Sequence, residues 1–277
     1  MNSSISTTIR SLPEWHPVRT GLRLIKNSPR LITDDIVKHY VQYRLEEPLT
    51  IVVLGMHRSG TSVVTRIINM LGARVGRPLV GANSSNPKGH WEHQESLCIN
   101  QWLLDACGGS WDSPPEEVTA GVIARWRMRL FIADLHNGTG LPAVWKDPRT
   151  LLTFSEWRSI IRNCLPVFVF RNPISVARSL HKRNNLSLQR GVNLWLKYNQ
   201  SLLEIARNQK NAILVDFDKG KKSLKKMAQD LSHRRGINYD KQAVNFYDSS
   251  ISSSSCAGEM SESVSHVYES IKDISTS

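Results

Sequence analysis

An α/β fold, with a central parallel sheet flanked by helices in three layers, is what this sequence predicts. Three observations carry it. Leu49 to Leu71, LTIVVLGMHRSGTSVVTRIINML, runs from an apolar, β-branched stretch through a polar loop bounded by glycines into apolar residues at helical spacing. Leu165 to Phe170, LPVFVF, is a second buried-strand run, and it delivers Arg171-Asn172-Pro173 to the start of another helix. Strand and helix alternate at least four times along the chain, the pattern of a parallel sheet covered on both faces.

The elements follow in order. Residues 1–47 read as an N-terminal extension, polar and basic to about residue 30 and interrupted by Pro13, Pro17 and Pro29. A helix is expected over Asp34–Arg44, solvated, with Ile36, Val37, Tyr40 and Val41 as its apolar stripe. The main domain spans 48–248. Ile51–Leu54 is its first strand, Gly55–Ser62 the loop, and Val63, Val64, Ile67, Ile68 and Leu71 mark the helix. Gly72–His93 is a long loop rich in Gly, Asn, Ser and Pro, a length uncommon without function. A helix over Glu95–Cys107 stops at Gly108-Gly109.

The next helix is expected over 116–136, with Arg125, Arg127 and Arg129 on a solvated face. A short strand over Leu141–Trp145 runs into Lys146-Asp147-Pro148-Arg149, and a helix over Thr150–Asn163 follows. Beyond the LPVFVF strand, a helix from Pro173 reaches about Arg183, and a long amphipathic helix covers Leu186–Gln209. Asn211–Phe217 is the last strand and Ser223–Arg235 a basic helix. Residues 249–277 form a serine-rich tail, with a terminal helix over 263–274.

At 277 residues the chain is long enough for one large α/β domain, or for a domain with a small appendage, and 40% hydrophobic and 22% charged content is ordinary for a soluble globular protein. A net charge of +12 favours anionic partners without choosing among them. Aromatics are 7% and no nucleic-acid module is present, so no nucleic acid partner is expected. Cys98, Cys107, Cys164 and Cys256 are scattered, which indicates neither a zinc site nor a disulfide framework. No metal is expected. The first residues lack the apolar core of a signal peptide, and no run approaches the roughly 18 apolar residues of a membrane span. A cytoplasmic location is expected, with peripheral membrane attachment compatible with the charge.

A strand, a glycine-bounded loop and a helix start are how backbones hold phosphate, because the first amides of a helix are unpaired and its dipole is positive there. The spacing Gly-x4-Gly-Thr-Ser is close to the nucleotide-triphosphatase loop, but Thr61 stands where that loop has lysine. ATP hydrolysis is therefore disfavoured, and a shorter anion is suggested. Arg58 adds a guanidinium, and Ser59, Thr61 and Ser62 add hydroxyls. In parallel sheets ligands gather at the carboxyl ends of strands. The loop at Gly55, Lys146 and Arg171 each lie just past one.

The loop GMHRSGTS resembles the 5′-phosphosulfate loop of sulfotransferases that use PAPS (3′-phosphoadenosine 5′-phosphosulfate). VFVFRNPISVARSL resembles their 3′-phosphate motif, in which an arginine ends a strand and a serine lies eight residues on; Arg171 and Ser179 fit. KDPR and Leu194-Trp195-x-x-Tyr198 look like bacterial and carbohydrate-type members. The resemblance covers about Leu49 to Phe217. It implies a P-loop-type three-layer fold and PAPS as sulfuryl donor. His57, Arg58, Ser59, Gly60, Thr61 and Ser62 would hold the 5′ side, and Arg171 and Ser179 the 3′-phosphate. The acceptor would be a hydroxyl or amine of a carbohydrate, glycolipid or other metabolite, anionic ones included. By the same resemblance Glu92 is the general base, with His90, His93 and Asp105 as substitutes, and Lys146 and Arg58 stabilise the transferring group. One departure is the lack of the late Arg-Lys-Gly run of small-molecule members; Lys219, Lys221 or Lys222 would have to compensate. Trp91 and Trp145 are either stacking or core residues. A P-loop kinase and a non-catalytic binder of anionic ligands are the competing readings.

Overall fold

The computed structural model describes residues 40–44, 48–81, 89–235, 237–248 and 260–276. Four parallel strands form its sheet: β1 (Thr50–Leu54), β2 (Ala143–Lys146), β3 (Cys164–Phe170) and β4 (Ile213–Asp216), in the order β2-β1-β3-β4. Val52 stands opposite Trp145 on one side and Pro166 on the other. Pairing of β3 with β4 begins at Val167, so the amide that Pro166 lacks falls before that ladder starts.

Side chains alternate across the sheet. Ile51, Val53, Val144, Val167, Val169 and Val215 face one layer, formed by α1 (Thr61–Met70) and the later helix Lys221–Arg235. Val52, Leu54, Trp145, Phe168 and Phe170 face the other. That layer contains α2 (Gln94–Ala106), α3 (Val122–His136), α4 (Thr150–Ile160), α5 (Pro173–Asn184) and α6 (Leu188–Arg207). With both faces covered, the strands read as unbroken apolar runs. The basic helix is α7 (Lys221–Arg235), and the terminal helix is α8 (Glu262–Thr276). Val264, Val267, Tyr268 and Ile271 of α8 are buried in the second layer.

Local chemistry accounts for the helix starts. Asn172 Oδ1 accepts from the amides of Ile174 (3.0 Å) and Ser175 (3.1 Å), and Pro173 occupies the first turn of α5. Ser187 Oγ accepts from the Arg190 amide at 3.2 Å to start α6. A Cβ on Gly191 would lie 3.0 Å from Ala177 Cα, so glycine lets α5 and α6 pack backbone to side chain.

Three expectations change. The helix foreseen from 116 begins at Val122. Tertiary bonds hold the segment before it as a loop: Tyr198 Oη donates to Trp111 O (2.8 Å), Arg190 pairs with Asp112 (2.9 Å) and Lys197 donates to Pro114 O (2.8 Å). Two of the arginines foreseen as solvated are ion-paired, Arg125 with Glu156 (2.9 Å) and Arg127 with Glu95 (2.6 Å). The helical residues 40–44 are not a solvated face either, since Tyr40, Val41 and Tyr43 are buried in the core. The expectations for residues 1–39, 82–88 and 249–259, including Trp15 and Cys256, lie outside the described residues. No helix among the described residues is long and apolar enough to cross a membrane.

Candidate active site

The strand order sets the site. From β1 the chain goes to β2 on one side, and from β3 to β4 on the other, so adjacent β1 and β3 diverge at their carboxyl ends. A crevice at such a switch point is where open α/β sheets bind ligands.

The loop after β1 is shaped by its two glycines. A Cβ on Gly55 would lie 2.3 Å from Val169 O of β3. Gly60 has φ +92°, and a Cβ there would sit 2.2 Å from the Phe217 ring. Arg58 itself takes a left-handed φ of 68°. Gly60 ends the loop as the N-cap of α1 and offers no side-chain cap, so the positive end of the helix is left uncapped at the loop. Ser59 and Thr61 are buried, and Ser59 Oγ has no hydrogen-bond partner.

Arg58 and Arg171, 113 residues apart, meet here. Arg58 Nε donates to Ser179 Oγ at 2.8 Å, and Arg171 Nη1 donates to Arg58 O at 3.3 Å. Trp195 Nε1 holds the Arg171 carbonyl at 2.9 Å, which gives the Leu-Trp-x-x-Tyr run a role in placing the arginine. On its other side Arg171 Nε stands 3.6 Å from Asp218 Oδ1 and its guanidinium lies 5.6 Å from the Phe217 ring centroid. Asp218 Oδ2 accepts from the Asn172 amide (2.5 Å) and Tyr268 Oη (3.2 Å). Burial, then Arg183 and Arg171, push the Arg58 pKa below its ordinary value.

At the opposite edge, Lys146 leaves the end of β2 and is almost wholly buried. Its Nζ donates to Glu92 Oε1 at 2.6 Å and lies 3.1 Å from Ser62 Oγ. Ser62 Oγ donates to His90 O at 3.0 Å, tying the long loop to α1. Lys146 thus supplies, from a different strand, a cation beside the loop that lacks its own lysine. Its partner is Glu92; the adjacent Asp147 pairs with Arg149 (3.1 Å) and accepts from Asn100 (2.8 Å).

His57 is buried against Trp111, with ring centroids 4.8 Å apart, and against Tyr198 at 6.3 Å. Its Nε2 has no partner. Burial drives its pKa well below 6.5, with further pushes from Arg183, Arg149, Lys146 and Arg58, so the ring is neutral at pH 7. His90 is also pushed down, by burial first; Glu92 opposes this, while Lys146, Arg183 and Arg58 add to it.

The substitutes for Glu92 part company. Both ring nitrogens of His93 are engaged, Nδ1 by the Glu95 amide (3.1 Å) and Nε2 by Arg77 O (2.9 Å), which makes it the cap of α2. Asp105 is exposed on α2 and accepts from Gln101 at 2.8 Å. Trp145 is core, packed 4.6 Å from Trp157, whereas Trp91 is half-buried with the Arg66 guanidinium 4.7 Å over its ring. Lys219 pairs with Asp216 at 3.5 Å.

Arg149, Arg183, Trp111, Asp218 and Tyr268 were not anticipated as site residues. Two had a signal. Arg183 lies four residues beyond Ser179 and therefore on the same helix face, and Asp218 follows a strand's carboxyl end. Among the described residues no group of His, Cys, Asp and Glu could hold a metal ion. Guanidinium groups, an uncapped helix start and an unpartnered buried hydroxyl fit an oxyanion ligand held at two separate points.

No protein-family model matches the chain, and no curated protein matches it by sequence. A solved structure that is similar is the sulfotransferase domain of the olefin synthase of Synechococcus PCC 7002, at 12% identity and a TM-score of 0.53, covering 81% of this chain and 95% of that one. Sulfotransferase STF1 from Mycobacterium tuberculosis aligns over 86% of this chain and 81% of its own, at 13% identity and a TM-score of 0.44. The chain has the three-layer fold, with a central parallel sheet, of the Synechococcus sulfotransferase domain.

Proposed function

We propose that this chain is a sulfotransferase that moves a sulfuryl group from PAPS to a hydroxyl or amine of a carbohydrate, glycolipid or other metabolite. The observation that carries the reading is the junction of the two motifs, Arg58 bonded to Ser179 and Arg171 bonded to the Arg58 carbonyl. One donor spanning both segments needs them side by side. Arg58 and the Ser59–Ser62 turn would hold the phosphosulfate end, and Arg171 with Ser179 the 3′-phosphate.

The donor supplies an activated sulfuryl group and a stable leaving nucleotide. Arg58 and Lys146 offset the negative charge that builds as the group transfers. Glu92, 2.6 Å from Lys146 Nζ, takes the proton of the acceptor hydroxyl. His57, neutral and walled by Trp111 and Tyr198, keeps water from that side of the loop.

Calorimetric titration with PAP (adenosine 3′,5′-bisphosphate) and with ATP tests the reading. PAP binds and ATP, lacking a 3′-phosphate, binds far more weakly. Arg58→Ala and Arg171→Ala each weaken PAP about ten- to a hundredfold, the loss of a charge-assisted bond of about 1.5–3 kcal/mol. Tight ATP binding with indifference to PAP would reverse the assignment in favour of a kinase.

A further inference from the structure

We propose that the acceptor carries an oxyanion of its own, and that Arg183 and Arg149 hold it against Trp111 on the Glu92 side of the crevice. The word "acceptor" rests on the sulfuryl-transfer reading; the anion subsite does not.

Both arginines lie outside the donor-binding segments. Arg183 stands one turn of α5 beyond Ser179, with its guanidinium 5.9 Å from the Trp111 ring centroid. Its Nε donates to Asn184 Oδ1 at 2.5 Å, and among the described residues no carboxylate lies within ion-pair distance of it. Arg149 arrives from the turn after β2. One Nη1 bond to Asp147 (3.1 Å) anchors it, while its buried Nε has no partner. Asp147 also accepts from Asn100 (2.8 Å) and from the Arg149 amide (3.0 Å), so its oxygens are divided among several donors and Arg149 Nε is left over.

Trp111 is a fixed wall, not a passing contact. Its ring meets His57 at 4.8 Å, its carbonyl is held by Tyr198 at 2.8 Å, and the next residue, Asp112, is paired with Arg190. The electrostatics agree with that geometry: burial lowers the Arg183 pKa, Glu92 opposes this and Arg149 adds to it, while burial and then Arg183, Arg149 and Lys146 lower that of His57. Like charges converge at a cost unless an anion joins them. Two planar guanidinium forks match the paired oxygens of a carboxylate or sulfate ester. Placed beside Glu92, such a group would sit next to the hydroxyl that reacts.

The probes are 4-nitrophenyl β-D-glucuronide and 4-nitrophenyl β-D-glucoside, which differ by one carboxylate. Each is titrated into the full chain with and without saturating PAP, and into Arg183→Gln, Arg183→Lys and Arg171→Gln, with melting temperatures as the check on folding. The glucuronide binds at least tenfold tighter than the glucoside. Arg183→Gln brings that ratio within twofold while leaving PAP affinity within twofold, Arg183→Lys restores part of it, and Arg171→Gln spares it. Equal binding of the two probes, or binding of neither, overturns the subsite. So does a tenfold loss of PAP affinity in Arg183→Gln, which would assign Arg183 to the donor. If PAP fails to bind while the glucuronide preference persists and depends on Arg183, the donor reading falls and the subsite stands.

Discussion

Replacing Glu92 separates two roles that the structure superimposes on one carboxylate. The Lys146 side chain is 2% exposed and that of Glu92 12%, with 2.6 Å between Nζ and Oε1. Removing one partner of a buried pair costs about 3–5 kcal/mol, because the other charge is stranded. The Ser62 hydroxyl stays 3.1 Å from Nζ, so Glu92→Ala belongs near the lower end, about 3 kcal/mol. Glu92→Gln strands the same charge but keeps an oxygen for Nζ, so it should lose less, about 2 kcal/mol. Turnover follows a different rule. If Glu92 is the base, both variants lose about 10²–10⁴ in rate, whatever their stability. Urea denaturation of both variants, PAP affinity by calorimetry, and PAPS-dependent transfer to a responsive acceptor measure the three quantities. Glu92→Gln that turns over within about threefold of wild type, with unchanged PAP affinity, refutes the base assignment and leaves Glu92 as the counter-ion of Lys146. A double-mutant cycle with Lys146→Met checks the other half: coupling under about 0.5 kcal/mol refutes the buried-pair argument.

Two further expectations concern the scaffold. Gly60→Ala places a methyl 2.2 Å from the Phe217 ring at a φ of +92°. A loss on the order of 2–5 kcal/mol is expected from overpacking and left-handed strain together, read as a lower urea midpoint; a melt indistinguishable from wild type would contradict it. His136 is buried between Thr50 (2.9 Å) and the Leu141 carbonyl (3.0 Å), and burial lowers its pKa from 6.5 to about 4. Above pH 6.5 it is neutral folded or unfolded. As pH falls from 6.5 towards 4, the unfolded chain takes a proton that the folded chain refuses, so about 3 kcal/mol of stability is lost over that window. His136→Gln should flatten the pH dependence of unfolding there, and an unchanged slope would disprove the assignment.

The parts of the fold that were legible are those whose cause is local. β1 and β3 are buried on both faces, so Ile51–Leu54 and Leu165–Phe170 could hardly read as anything but strands. Gly55 and Gly60 were legible for the same reason, since close approach leaves room for no other residue. The start of α3 was not, because nothing near residue 116 announces that Tyr198, Arg190 and Lys197 hold the preceding loop from 75 or more residues away. Burial of Tyr40 and Tyr43 has a similar origin: an amphipathic stripe says that a helix has an apolar side, not whether something covers it. Within the crevice, Arg58, Arg171 and Ser179 could be singled out by motif, whereas Trp111 and Tyr268 enter only through long-range packing.

The two acid–base contacts at opposite ends of the crevice differ in a way that bears on function. Asp218 stands 3.6 Å from Arg171 Nε and its side chain is 32% exposed. Its Oδ2 is engaged by the Asn172 amide and Tyr268. A phosphate at Arg171 would have to displace only a long contact whose acidic partner is part-exposed, and Asp218 would keep two other donors when it yields. The Lys146–Glu92 pair is short and dry, so any ligand that separates it must replace both charges at once. On the proposed reading, a phosphate would engage Arg171 without separating Lys146 from Glu92, and Lys146 would act on the transferring group while still paired. On that same reading, a nucleotide bound at Arg171 would leave the carboxylate proposed as base in its place, because the 2.6 Å Lys146–Glu92 contact is the harder of the two to separate.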